Sequence, residues 1–180
     1  DEGAVMLGTI PFSDTMIPVA QVANSYGVSI FQPQSTQVEM HAGIVDNFFT
    51  GVSPDPFTAT AAANHALSLG VKNVVLMTSY EGGSWSARTP LWFGEVIEAG
   101  GGKVLSKMNF SFGTSDWSPQ IAEMKALGEQ IDAVYISSIM PDIAVLVRQL
   151  KSAGIDAYVI GSDGFDDPSL DAIGSEDASI

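Results

Sequence analysis

Cysteine is absent from the 180 residues. That removes disulfides, thiolate metal sites and cysteine nucleophiles, without fixing a compartment. Positive charge is scarce: 7 Lys and Arg stand against 21 Asp and Glu, a formal charge of -14. With no Lys/Arg cluster to track a phosphate backbone, nucleic acid is not an expected partner. No apolar run approaches the roughly 18 residues that a membrane-spanning helix needs, so direct membrane insertion is not expected. The opening "DEGAVMLG" lacks the basic start of a signal peptide, so targeting information is expected to be absent or already removed. Histidine occurs only at His41 and His65, and no His/Asp/Glu cluster has metal-ligand spacing. Neither a metal nor a cofactor is expected. What is present is an ordinary core: 46% hydrophobic and only 16% charged residues fit one domain or two small lobes and argue against disorder.

Short apolar runs recur along the chain, each followed by a helix-like segment. The strand candidates are "AVMLG", "GVSIFQ", "NVVLMT", "GKVLSKMNF", "DAVYISS" and "AYVIGSD". Helical periodicity covers Met16 to Ser25, Pro56 to Leu69, Ser86 to Ala99, Ser118 to Leu127 and Pro141 to Ala153. Continuous apolar strands alternating with helices predict an α/β fold, with parallel sheets flanked by helices. Gly70, Gly100 and Gly154 follow helices, and Pro56, Pro119 and Pro141 lie near first turns, as helix punctuation requires. One segment breaks the rhythm. "IVDNFFTGVSPDPF" has an apolar centre but ends in two prolines around Asp55, which stop a regular element. It reads as a crossover between two lobes, or alternatively as a surface loop. The expected division is residues 1–50 in an N-terminal lobe, a hinge over 51–56, and 57–180 in an incomplete C-terminal lobe. The hinge candidates are Thr50, Gly51, Val52, Ser53, Pro54 and Asp55.

In open α/β sheets ligands collect at the carboxyl ends of strands. Three loops there carry suitable chemistry. After "AVMLG" comes Pro11-Phe12-Ser13-Asp14-Thr15, able to hold an anion at a helix N-terminus or merely to cap that helix. After "GVSIFQ" comes Pro33-Gln34-Ser35-Thr36, a second hydroxyl-bearing loop. After "NVVLMT" comes "SYEGGSWSA", expected to be a flexible loop that brings Trp85 either to a cleft or into the core.

Four stretches taken in order carry a resemblance: "GVSIFQPQST", "NFFTGVSPD", "GTSDWSPQIAEMKA" and "GSDGFDDPSL". Together the chain resembles an internal portion of a type I periplasmic solute-binding protein of an ABC transporter, in the leucine/isoleucine/valine-binding group. The resemblance implies a two-lobe fold that closes on a small solute, with further strands and helices before and after this portion. It implies Ser13 and Thr36 as donors to a ligand carboxylate, Trp85 as an aromatic closing over the ligand, and Asp163 as the acid receiving an ammonium group. Both hydroxyls can donate, as that role requires. The alternative for Asp163 is a turn residue before Gly164. Asp166 and Asp167, beside Pro168, are expected to cap and start the next helix.

Three departures from the group's pattern bear on specificity. Ile139 and Met140 stand where branched-chain amino-acid binders carry a tyrosine or another polar residue, so that wall is apolar. Gln34 replaces a small residue, and Asp14 adds negative charge beside the supposed carboxylate site. With Ser35, these complete the expected ligand-binding set: Ser13, Gln34, Ser35, Thr36, Trp85, Ile139 and Asp163. Leucine itself is not singled out.

An enzyme is not expected. "GGSWS" places Ser84 like the nucleophile of an elbow motif, but Ser86 stands where the last glycine should be. "AGGGKV" leaves a helix and enters a strand, the reverse of a phosphate-binding loop. The expected role is therefore capture of a small amino acid or related polar solute between two lobes. Delivery would be to an ABC transporter permease, from the periplasm or, where none exists, from an extracellular membrane-anchored position. The alternative is a ligand-sensing domain of a receptor or regulator with the same fold.

Overall fold

The computed structural model describes residues 3–8, 13–41 and 46–173, with backbone alone for 13, 14, 40, 41 and 171–173. Among these, seven strands alternate with five α-helices. The strands are β1 (Met6–Gly8), β2 (Ser29–Gln32), β3 (Phe48–Thr50), β4 (Asn73–Thr78), β5 (Lys103–Asn109), β6 (Ala133–Ile136) and β7 (Tyr158–Ile160). The helices are α1 (Ser13–Ser25), α2 (Asp55–Ser68), α3 (Gly83–Ala99), α4 (Ser118–Ala126) and α5 (Asp142–Ser152). They build two parallel sheets, one ordered β1-β2-β3 and the other β5-β4-β6-β7.

The second sheet shows why its strands are apolar throughout. Successive side chains on a strand point to opposite faces, and here both faces are covered. Val74, Leu76, Ala133 and Tyr135 pack with Ala59, Ala63, Phe93 and Ile97 of α2 and α3. Their neighbours Val75, Met77, Val134 and Ile136 pack with Ile121, Met124, Ile143 and Leu146 of α4 and α5. A fully buried aliphatic side chain of this kind contributes roughly 1.5–3 kcal/mol by leaving water. The Ala59, Ala63 and Ala66 face of α2 lets α3 come close: a Cβ on Gly100, just past α3, would lie 2.4 Å from Leu67 Cδ1. The first sheet has a smaller core of Met16, Ala20, Ala23 and Ile30. Its outer residues Val5, Met6, Val22 and Tyr26 are exposed.

Two expectations are corrected. The segment read as a crossover contains a strand, β3, whose last residue is Thr50; Phe49 and Thr50 pair with Phe31 and Gln32. The "SYEGGSWSA" loop is largely helical, because α3 begins at Gly83 and carries Trp85 in its first turn. As expected, Gly100 follows α3, at φ -80°, and Gly101 beyond it is left-handed (φ +85°). The 3-10 turn Pro168–Ile173 follows Asp167, whose Oδ1 accepts the Ser169 N–H at 2.8 Å, the capping expected there.

Candidate functional site

Both sheets end their strands in polar loops, and four segments bring those loops together. After β2 the chain turns tightly: the Gln34 N–H donates to Gln32 Oε1 at 2.6 Å, Gln34 is exposed, and Ser35 and Thr36 are buried. The Thr36 carbonyl then accepts the Asp55 N–H at 2.9 Å, tying this loop to the start of α2. Gly51 lies under Phe31, where a Cβ would come within 3.1 Å of the ring.

On the second sheet, Trp85 is half-buried and its indole N–H donates to Asp163 Oδ1 at 2.8 Å. Phe112 stacks nearly parallel to Trp85 with centroids 6.4 Å apart, and the Phe112 N–H donates to Glu81 Oε2 at 2.8 Å. The Ser86 hydroxyl donates to the Ser137 carbonyl at 2.6 Å, fixing α3 to the mouth of β6. Asp163 opens the 3-10 turn Asp163–Phe165, and Ile139 lies 46% exposed in the loop after β6. Gly164 is held against the same ring. A Cβ there would come within 2.2 Å of the Ser138 carbonyl oxygen and 2.9 Å of Trp85. A backbone oxygen cannot swing aside as a side-chain tip can. Gly164→Ala is therefore expected to destabilise by about 1–3 kcal/mol and to detach Trp85 from Asp163. Thermal unfolding and tryptophan emission of the variant check this; an unchanged melting temperature and spectrum would show that the turn has room.

The electrostatics are one-sided. Asp55 is fully buried, and neither carboxyl oxygen has a hydrogen-bond partner of ordinary geometry. Burial pushes its carboxyl up to about 6; the Thr36 and Thr89 hydroxyls facing it pull the other way, and the charges of Asp163 and Glu39 push with burial. Glu39 is treated differently. Partial burial raises it, but its own backbone amide and the Arg88 guanidinium outweigh that and hold it below the usual carboxylate range. Arg88 pairs with Glu39 and lies 4.8 Å over the Trp92 ring, so its charge is already engaged. Burial likewise raises Asp142, opposed by the Gly113 N–H at 2.7 Å and by Ser138.

The structure thus joins Trp85 to Asp163 and Thr36 to Asp55, with Ser35 buried alongside Thr36. Ser13 is the first residue of α1, but its side chain, like that of Asp14, lies outside the described residues. Sequence reasoning missed Phe112, Ser137, Thr89 and the Glu39–Arg88 pair, and it took Asp55 only as a hinge residue. The Ser-Pro-Asp-Pro context was the one available signal that Asp55 is locally constrained. Among the described residues no His/Cys/Asp/Glu group could hold a metal ion. Among the described residues the Ser84 hydroxyl is buried without a hydrogen-bond partner, and His65 is exposed. His41 has no described side chain.

Comparison with known proteins adds a lineage to this geometry. Residues 1–179 match the family model described as periplasmic binding protein. A Leu/Ile/Val-binding protein homolog 3 of Brucella melitensis is 25% identical over 162 residues, which is 90% of this chain and 43% of that protein. The leucine binding protein LivK of Thermotoga maritima superposes with a TM-score of 0.85 at 29% identity, over 96% of this chain and 48% of its own. A solute binding protein of an R. palustris ABC transporter, solved with benzoate, shares the fold with a TM-score of 0.81 at 18% identity, over 97% and 48% of the two chains. The chain spans less than half the length of each of these relatives.

Proposed function

The chain belongs to the periplasmic binding protein family, and from that premise we propose that it forms part of an extracytoplasmic solute-binding protein that captures a small amino acid or related solute. The observation that carries this reading is the Trp85–Asp163 pair: an aromatic plane and a carboxylate, linked at 2.8 Å, at the carboxyl ends of parallel strands. An indole face and a carboxylate edge suit an apolar side chain next to an ammonium group. Thr36, Ser35 and Ser13 would supply donors to the ligand carboxylate, and Gln34 and Ile139 would line the side-chain end. The relatives named Leu/Ile/Val-binding and leucine binding support an amino acid.

The two sheets would act as lobes, residues 1–50 and 57–180, joined through residues 51–56. The path from Thr50 at the end of β3 to Asp55 at the start of α2 is short and contains Pro54. A few constrained residues between two sheets can absorb a hinge rotation while each sheet stays rigid. Delivery to an ABC transporter permease follows from the family reading, with no catalytic step. Among the described residues no helix is long and apolar enough to cross a membrane.

Small-angle scattering of the intact protein, with and without saturating L-leucine, tests both parts of the reading. A smaller radius of gyration on binding is expected. Saturation with an unchanged radius would remove the hinge, and absence of leucine binding would direct the search to other solutes.

A further inference from the structure

Trp85 is tied to Asp163 through its indole N–H, but one hydrogen bond at the edge of a ring does not by itself fix the ring's plane. A second constraint comes from Glu81, an acid that the capture of a solute, as described above, does not use. Glu81 lies exposed in the turn between β4 and α3, and its carboxylate accepts the Phe112 N–H at 2.8 Å. Phe112 belongs to the loop after β5, and its ring lies within 3° of parallel to Trp85. We infer that Glu81 is a positioning residue: by fixing Phe112 it sets the plane of Trp85, so that the aromatic surface offered to a solute is built before the solute arrives.

The turn that carries Glu81 is held along its length. The Glu81 N–H donates to Ser79 Oγ at 3.2 Å, the Gly83 N–H to the Tyr80 carbonyl at 3.2 Å, and the Ser79 N–H to the Ser86 carbonyl at 3.3 Å. Gly82 is where the Phe112 ring comes to rest. A Cβ there would lie 2.8 Å from Phe112 Cε2 and 2.8 Å from Ser86 Cβ, so this glycine makes room for the ring. The loop bearing Phe112 is pinned from its other side: the Gly113 N–H donates to Asp142 Oδ2 at 2.7 Å, and the Trp117 N–H to Gln149 Oε1 at 2.7 Å. Phe110 meets the Phe112 ring edge-on at 5.6 Å. Offset-parallel and edge-on contacts at such separations are the arrangements that aromatic rings favour. A surface already ordered in this way spares the ordering cost that binding would otherwise carry.

That Trp85 meets a solute rests on the proposed function, whereas the fixing of its plane does not, and the test has an arm for each. Without ligand, Trp85 emission is isolated as the difference between the intact protein and Trp85→Phe, which subtracts Trp92 and Trp117. Glu81→Ala frees the Phe112 N–H and is expected to shift this difference spectrum and to raise its quenching by acrylamide. Glu81→Gln keeps an acceptor in place and should match the parent. In Phe112→Leu, adding Glu81→Ala should change nothing further. With folding verified by circular dichroism, a spectrum unmoved in Glu81→Ala would overturn the inference. So would Glu81→Gln behaving like Glu81→Ala, which would assign the effect to charge, or a further shift on adding Glu81→Ala to Phe112→Leu, which would route it around Phe112. In the second arm, calorimetry should show L-leucine bound about two- to tenfold more weakly by Glu81→Ala, the worth of one aromatic pair, and equally well by Glu81→Gln. Full affinity in Glu81→Ala despite a shifted spectrum would overturn the role in capture. If neither leucine nor benzoate binds the parent, the solute reading fails, and the emission arm alone decides whether Glu81 sets the Trp85 plane.

Discussion

Asp163→Asn is expected to weaken L-leucine binding by roughly 3–5 kcal/mol, the cost of leaving a desolvated cation without its partner. That is at least about a hundredfold in affinity. The substitution is unusually clean. Trp85 donates to Asp163 Oδ1, and an asparagine carbonyl oxygen can accept the same hydrogen bond, so the aromatic stays in place while the charge goes. Calorimetry on parent and variant, with folding checked by circular dichroism, reads the loss directly. Benzoate, a carboxylate with no ammonium group, is the control: its binding should not suffer from the lost charge. Leucine bound equally well by both proteins would mean that no ammonium reaches Asp163, and the amino-acid reading would give way to a neutral or anionic solute.

The second large effect is on stability. The Asp55 carboxyl is raised from its ordinary 3.8 to about 6, so between those values the folded protein holds a proton that the unfolded chain releases. Stability from this group is therefore greatest below about pH 4, falls as pH rises toward 6, and is constant above. At neutral pH the buried charge costs on the order of 3 kcal/mol. Asp55→Asn removes that cost and keeps the shape. The variant should be more stable at pH 7 by up to that amount, with a flattened profile between pH 4 and 6. Urea unfolding across this range measures it. A variant less stable at pH 7, or with an unaltered slope, would show that the Asp55 charge is compensated in the fold.

Period and punctuation made most of the architecture readable. Continuous apolar runs such as Val74–Met77 announce a strand covered on both faces, and β4, α2 and α5 fall within a residue or two of expectation. β3 escaped because three residues, Phe48–Thr50, make no period, and prolines soon follow them. Its pairing with β2 is a tertiary fact. The site divides in the same way. Residue types at strand mouths drew attention to Thr36, Trp85 and Asp163, but the hydrogen bond between the last two joins positions 78 apart in sequence and leaves no local trace. Asp55 is the clearest gap. An acid between two prolines looks like a solvated turn, and nothing in the sequence near it tells that α3 and the loop after β2 bury it. Trp117 is similar: beside Asp116 and Ser118 it looks superficial, yet it is fully buried against Phe110.

The pairing of Arg88 with Glu39 has a kinetic consequence. With that guanidinium engaged, the exposed carboxylate of Asp163 stands in a chain of charge -14, and on this chain's own charges an arriving solute is expected to meet a negative potential. Such a field acts before any contact is made: it turns an arriving zwitterion so that its ammonium end leads, and it slows anions that lack one. The preference is therefore exerted first on encounter frequency, over a reach of about 8 Å at physiological ionic strength. Raising the salt concentration should narrow the gap in association rate between leucine and benzoate while leaving their departure rates nearly alone. Discrimination by arrival would then add to discrimination by grip against simple carboxylates.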